Sequence, residues 1–192
     1  SKQIITTMIK YNILFTFLLL NTSIAMSQKY ETQEYKIVNQ IDKVEIRYYP
    51  SAAMIKVSAN MGRNNNFGKL FRYIAGGNKS DEKIAMTTPV YMSNDNRTME
   101  FVLPRKFISN NAPVPIDSDV ETYISEPKYF AAIRYSGYSN ERKEKEYKEQ
   151  LIKKIEESKL KMLSDHYVLS YDGPTKFYNR RNEILIQVNY SD

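Results

Sequence analysis

The sequence predicts an α+β fold in which one order of strands and helix occurs twice. In each half, two runs of alternating apolar and polar side chains precede an amphipathic helix, and further strands follow it. Corresponding segments of the two halves lie about 75 residues apart. Two such halves indicate two sheets or one curved sheet, with one helix packed on each half.

The first half shows this order between residues 44 and 103. Its strands are predicted at residues 44–48, 53–57, 83–92 and 99–103. Because only Tyr49-Pro50-Ser51 separates the first two strands, we expect them to form a hairpin. The helix that follows has one apolar face, formed by Phe67, Leu70, Phe71 and Ile74. Gly76 and Gly77 are expected to end this helix.

The second half repeats the order between residues 120 and 188. Its strands are predicted at residues 120–125, 129–135, 167–171 and 184–188. The first two are again expected to form a hairpin, through Glu126-Pro127-Lys128. A helix is predicted over residues 141–160, with Ser139 or Asn140 as its N-cap. The inward face of this helix carries Tyr147, Leu151, Ile152 and Ile155.

The N-terminal segment has the three-part pattern of a secretory signal peptide. Two lysines occur without an acidic residue, an apolar run covers residues 13–20, and Ala25-Met26-Ser27 supplies a site of small residues. The apolar run is shorter than the roughly 20 residues that a spanning helix needs. We therefore expect residues 1–27 to be removed and residues 28–192 to form one exported, periplasmic domain. Without cysteine, this domain has no disulfide.

The charge pattern argues against nucleic acid as a partner. The chain has 28 Lys and Arg residues and 22 Asp and Glu residues, for a net charge of +6, and loss of the predicted leader with its two lysines lowers it to +4. The most charged stretch, residues 141–159, mixes both signs on the same helical turns, which is typical of a solvated helix face. We also expect no stable membrane span after removal of the leader, and the sequence leaves a protein partner undetermined.

Three pairs of short motifs occur in a fixed order along the domain. They are Tyr73-Ile-Ala-Gly-Gly-Asn78 with Ile84-Ala-Met-Thr-Thr-Pro-Val90, Phe101-Val-Leu-Pro104 with Ala112-Pro-Val-Pro-Ile-Asp117, and Tyr171-Asp-Gly-Pro174 with Arg180-Arg-Asn-Glu183. In this order and at these distances they resemble the SOUL family of haem-binding proteins, from about Tyr30 to Val188. The resemblance implies a distorted antiparallel β-barrel of two pseudo-twofold-related halves with two long helices packed outside. Effector-binding domains of bacterial regulators share this architecture.

The resemblance also implies a non-covalent site for haem or a related tetrapyrrole, without catalytic residues. In family members the ligand lies against the first helix and the loop before the last strand. The matching positions here are Phe67 and Phe71 for an apolar pocket, and Arg72 and Lys176 for the propionate edge. Asn64 stands where a basic residue can occur in the family, so we include it as a candidate binding residue.

The sequence leaves the iron ligand open. Haem iron usually takes His, Cys, Met or Tyr, but cysteine is absent and His166 is the only histidine. We expect His166 to lie in the surface connection between the second helix and the next strand. Methionine and tyrosine remain candidates without a motif that selects one of them, and Met86 is expected to pack against a strand.

Two other functions remain open. Glu183, with nearby tyrosines, is the candidate general base for a small-molecule hydrolase. A carboxylate beside Arg180 and Arg181, however, more often forms a structural ion pair that also ties a turn. The second alternative is a binding module for another flat apolar ligand or for a protein partner. No Ser-His-Asp, Cys-His or metal-ligand constellation is visible, and the single histidine excludes most of them.

Overall fold

The computed structural model describes residues 30–58 and 65–191. The strands are β1 (Glu31–Thr32), β2 (Lys36–Ile41), β3 (Val44–Tyr49), β4 (Ala53–Ser58), β5 (Thr87–Thr88), β6 (Val90–Ser93), β7 (Thr98–Val102), β8 (Val120–Ile124), β9 (Lys128–Tyr135), β10 (Lys161–Ser170) and β11 (Asn182–Asn189). The helices are α1 (Asn66–Ile74), α2 (Lys106–Ser109) and α3 (Glu141–Glu157). The predicted signal peptide and Asn64 lie outside the described residues.

Nine strands form one antiparallel sheet, in the order β2-β3-β9-β11-β10-β6-β7-β4-β8. The strands of the two halves correspond in pairs, namely β3 with β8, β4 with β9, β6 with β10 and β7 with β11. Apart from β2, replacing every strand by its counterpart gives the same order read from the opposite end of the sheet. The two helices are counterparts as well, because α1 begins at residue 66 and α3 at residue 141, which matches the predicted separation of about 75 residues. The predicted α+β fold of two pseudo-twofold-related halves is therefore confirmed.

The sheet does not close into the barrel that the resemblance implied. Its end strands, β2 and β8, each pair with a single neighbour within the described ranges, so the ladder of hydrogen bonds stays open. The sheet instead curves around an interior core to which seven of its strands contribute. This core consists of Tyr49, Ala52, Met54, Tyr91, Val102, Phe130, Ala132, Leu169 and Leu185.

The two predicted hairpins are wrong. Strand β3 pairs with β2 and β9, whereas β4 pairs with β7 and β8. The chain does not reverse after Tyr49, because residues 50–52 continue the ladder through a bend. Ser125 donates its backbone N–H to the carbonyl of Ala52 at 2.8 Å, in the same register as the flanking strands. Residues 44–58 and 120–135 thus form one long bent ribbon.

Both predicted helices are present, and each covers its own core. The side chain of Asn140 accepts the backbone N–H of Lys143 at 3.0 Å, which confirms it as the N-cap of α3. Helix α1 packs chiefly on β4, β7 and β8, while α3 packs chiefly on β9, β10 and β11. Strand β10 therefore has a helix over it, and its counterpart β6 is left less covered. No helix in the described ranges is long and apolar enough to cross a membrane.

Strand β10 is longer than predicted. It begins at Lys161, directly after α3, rather than near Tyr167. His166 therefore lies within a strand, and its expected position in a surface connection is wrong. Strand β2 was not predicted either; it forms the hairpin partner of β3.

Candidate functional site

A cleft of about 490 Å³ opens beside α1, where β6 is left less covered. Its apolar wall is formed by Phe67, Phe71, Met86, Val90, Met92 and Met99. Residues 171–174 and Arg180, from the connection between β10 and β11, form the opposite side. This volume and this mixture of a broad apolar wall with a few polar groups are typical of small-molecule sites.

Phe67 and Phe71 present a flat aromatic surface to this cleft. They are one helical turn apart on α1, and their rings stack at 6.0 Å between centroids with an angle of 13° between planes. The ring of Phe101, a buried residue of β7, packs edge-to-face with that of Phe67, with 5.4 Å between the centroids. Phe67 is 47% and Phe71 50% exposed, so neither is an ordinary core residue. Both predicted pocket aromatics line the cleft.

Three methionines complete the apolar wall. Met92 of β6 and Met99 of β7 are direct partners across the ladder, so their side chains lie on the same face of the sheet. Met86 lines the cleft and also packs against the core under α1, as expected. Methionine side chains are flexible and polarisable, so this wall can adjust to an apolar ligand.

The two predicted cations lie in different places. Lys176 lines a polar recess of about 280 Å³ that adjoins the cleft, and its Nζ atom lies 2.6 Å from Oδ1 of Asp172. The guanidinium of Arg72 is 4.0 Å from the Asp117 carboxylate, and Arg72 is not among the residues that line the cleft. Lys176 therefore lines the recess that adjoins the cleft, whereas Arg72 lines neither space.

Arg180 also lines the cleft, although no sequence pattern predicted it there. Its Nη1 atom donates to the carbonyls of Gly173 and Lys176 at 2.7 Å each. Arg180 is nearly buried, and it holds the connection between β10 and β11 in the shape that forms one side of the cleft. The signal in the sequence was the Arg-Arg motif, but this motif does not show which arginine ties the turn.

Glu183 lies in a buried ion cluster. Arg47 donates to its two oxygens at 2.6 and 3.0 Å, Arg181 donates at 2.8 Å, and the hydroxyl of Tyr171 donates at 2.9 Å. The ion-paired interpretation of Glu183 is confirmed, although the second arginine is Arg47 rather than Arg180. Arg47 is 136 residues away in the chain, so no local pattern could have identified it.

These contacts leave Glu183 poorly suited to act as a base. Burial alone raises its pKa, but hydrogen bonds and charge from Arg47 and Arg181 outweigh burial and hold the pKa below its ordinary value. Glu183 is also fully buried. A general base needs an accessible carboxylate with a pKa near the working pH, so the hydrolase alternative is not favoured.

His166 does not line the cleft. Burial, and then the charge of Lys148 on α3, lower its pKa. No group of three or more His, Cys, Asp or Glu side chains that could hold a metal ion occurs in the described part of the chain. The thioethers of the cleft wall and the phenol of Tyr30 lie near the cleft and could approach an iron atom. Tyr171 also lines the cleft, but its hydroxyl donates to Glu183.

Comparison with known proteins identifies the family of this chain. A model of the SOUL heme-binding protein family matches residues 30–187, which is most of the chain. The chain belongs to this family. Among curated relatives of this SOUL protein, heme-binding protein 2 of Homo sapiens is 28% identical over 185 residues, covering 86% of this chain and 90% of the relative. Heme-binding protein 1 of Sus scrofa is 23% identical over 174 residues, covering 81% and 92%.

Solved structures support the fold of this SOUL protein. The C-terminal domain of EcmrR superposes with a TM-score of 0.54 at 12% identity, covering 82% of this chain and 99% of that domain. A hydrolase from Listeria innocua superposes with a TM-score of 0.51 at 13% identity, covering 79% and 94%. At these identities the likeness is one of fold, and the function of each neighbour stays with that neighbour.

Proposed function

We propose that this SOUL protein binds haem or a related tetrapyrrole non-covalently, in the cleft beside α1, and that it does not catalyse a reaction on its ligand. The observation that carries the proposal is the apolar cleft with its stacked Phe67 and Phe71 rings, in a chain of the SOUL heme-binding family. Heme binding by the curated relatives supports the same ligand class.

The residues of the cleft fit a porphyrin chemically. A porphyrin is a flat apolar plate with carboxylates along one edge, so it needs a broad apolar wall with cations at one side. The aromatic and methionine side chains provide the wall. Burial of a few hundred Å² of plate at roughly 25 cal/mol per Å² supplies several kcal/mol before any bond to iron. An axial ligand is therefore not required for binding.

The basic residues remain predictions within this proposal. Lys176 is supported by its position in the recess beside the cleft. The role of Arg72 rests on the family resemblance, because its guanidinium is exposed and faces Asp117. Asn64 also rests on the resemblance alone.

The test is a hemin titration followed by absorbance, with a cleft variant and a matched control. Phe71→Ala removes half of the stacked pair, and Ile124→Ala removes an apolar side chain with the same 50% exposure on strand β8. Loss of one partly buried aromatic contact is worth about 1 kcal/mol, so we expect Phe71→Ala to weaken hemin binding about fivefold. Ile124→Ala should bind as the wild type does.

Two results would contradict the proposal. If the wild-type protein causes no saturable shift of the hemin spectrum at high micromolar concentration, it is not a haem binder. If Ile124→Ala weakens binding as much as Phe71→Ala, haem binds away from this cleft. Comparison with iron-free protoporphyrin IX adds a second result, because a preference for hemin indicates a bond from the protein to iron.

We also propose that the protein is exported with residues 1–27 removed, as the leader pattern predicts. The measurement is the N-terminal sequence of the protein recovered from the cell envelope fraction. A first residue of Gln28 supports the proposal, and recovery of the intact leader in the cytoplasmic fraction contradicts it.

A further inference from the structure

The polar recess beside the cleft contains more cationic side chains than anionic ones. Arg134, Lys176 and Arg181 line it, together with one carboxylate, that of Asp172. The recess and the cleft share Tyr30, Thr88, Tyr171 and Asp172 in their linings, so the two spaces adjoin. An apolar compartment and a cationic compartment therefore lie side by side.

Two of the three cations already have close carboxylate partners. Lys176 pairs with Asp172 at 2.6 Å, and Arg181 pairs with Glu183 at 2.8 Å. Arg134 is different: it is exposed, and within the described residues its guanidinium forms no ion pair and no side-chain hydrogen bond. The positive charge in excess at the recess thus belongs to Arg134. Its planar guanidinium can bind a carboxylate through two parallel hydrogen bonds.

Strand β9 keeps Arg134 in this position. Arg134 is the register partner of Glu183 on β11, and its neighbours Phe130 and Ala132 on the same face of β9 belong to the interior core. Its Cα is therefore fixed by the sheet, while its side chain extends beyond the core to the recess. A binding site built on strands is held more precisely than one built on loops.

We propose that the recess binds the carboxylate edge of the ligand whose apolar body occupies the cleft, and that Arg134 is the principal anion-binding residue. This inference rests on the proposed function, and it adds a selectivity. The protein should prefer tetrapyrroles that carry free carboxylates over their neutral esters.

The test compares hemin with its dimethyl ester, in which both carboxylates are neutral, under identical solvent conditions. The variant is Arg134→Gln, and the control is Arg142→Gln, an exposed arginine of α3 that lies near Glu146. We expect wild type and Arg142→Gln to bind hemin about threefold to tenfold more tightly than the ester. Arg134→Gln should lose this preference, bind the ester as the wild type does, and fold normally because Arg134 is exposed.

Each possible outcome gives a distinct answer. Equal affinity of the wild type for hemin and the ester would overturn the inference and leave the proposed function standing. A preference that persists in Arg134→Gln would assign the carboxylates to other cations. Binding of neither ligand by the wild type would overturn the proposed function and, with it, this inference.

Discussion

Helices α1 and α3 occupy equivalent places in the two halves, but they leave different surfaces uncovered. Helix α3 has 17 residues and α1 has 9, or about 25 Å against about 13 Å at 1.5 Å per residue. The longer helix packs on β10 as well as on β9 and β11, whereas the shorter one does not pack substantially on β6. The cleft lies where that cover is missing. A symmetrical sheet therefore gives an asymmetric site because one helix is short.

The largest effect is expected where the two halves join, at the ion pair between Arg47 of β3 and Glu183 of β11. Glu183→Gln removes the carboxylate that pairs with the buried guanidinium of Arg47 and the partly buried one of Arg181, and leaves Arg47 with only the carboxylate of Glu45. We therefore expect the free energy of unfolding to fall by about 3–5 kcal/mol. Urea unfolding followed by circular dichroism measures it. The matched control is Glu121→Gln, whose carboxylate is 63% exposed, and it should change stability by less than about 1 kcal/mol. Equal effects would show that Glu183 contributes no more than a surface pair.

The pH dependence of stability tests the same ion pair. Because folding lowers the pKa of Glu183, its contribution is present above the unfolded-state value of about 4.3 and is lost as the pH falls through the lower folded-state value. The wild type should therefore lose stability steeply below about pH 4.3. We expect a shallower loss for Glu183→Gln across that range, and parallel curves would contradict the assignment.

The next effect compares the cores under the two helices. Leu70 of α1 and Leu151 of α3 are both fully buried. Replacement of either by Ala should cost about 2–5 kcal/mol, since each removes apolar contacts and leaves a cavity. Thermal and urea unfolding of the two variants measure the difference. Similar losses would show that the short helix is packed as firmly as the long one. A much smaller loss for Leu70→Ala would contradict this equality.

The smallest effect compares the N-terminal ends of the helices. Asn140 caps α3 through a hydrogen bond from Lys143, whereas the side chain of Asn65 makes no capping hydrogen bond to α1. We expect Asn140→Ala to destabilise the protein by about 1 kcal/mol and Asn65→Ala by clearly less. The free energies of unfolding of the two variants give the comparison. Equal losses would mean that the capping contact does not distinguish the two helices.

The sequence predicted helices better than strand pairing, for a physical reason. A helix is specified by contacts three and four residues apart, so the face of Phe67, Leu70 and Phe71 is visible in one window. Strand pairing depends on distant segments, and two neighbouring strands with a proline between them looked like a hairpin. Instead Ala52 pairs with Ser125, 73 residues away in the chain. Arg47 could not be predicted as the partner of Glu183 for the same reason, because the two residues are far apart in the chain.

Part of the candidate site was also within reach of sequence reasoning. The aromatic pair on α1 and Lys176 were predicted from the family resemblance, and the structure places them around two adjoining spaces. Arg134 could not have been found in this way, because a lone arginine in an alternating strand has no distinguishing pattern. Its position becomes informative only when the sheet order brings β9 beside β11.

The bent ribbon limits how the chain length can vary. Strands β3 and β4 are joined by residues 50–52, β8 and β9 by residues 125–127, and the two connections face each other in one uninterrupted register. An insertion in one connection must either be matched by an insertion in the other or form a bulge at the bend. Residues 50–52 and 125–127 are therefore expected to gain or lose residues together, although they lie more than 70 positions apart. For loop grafting or permutation, the two connections form one unit.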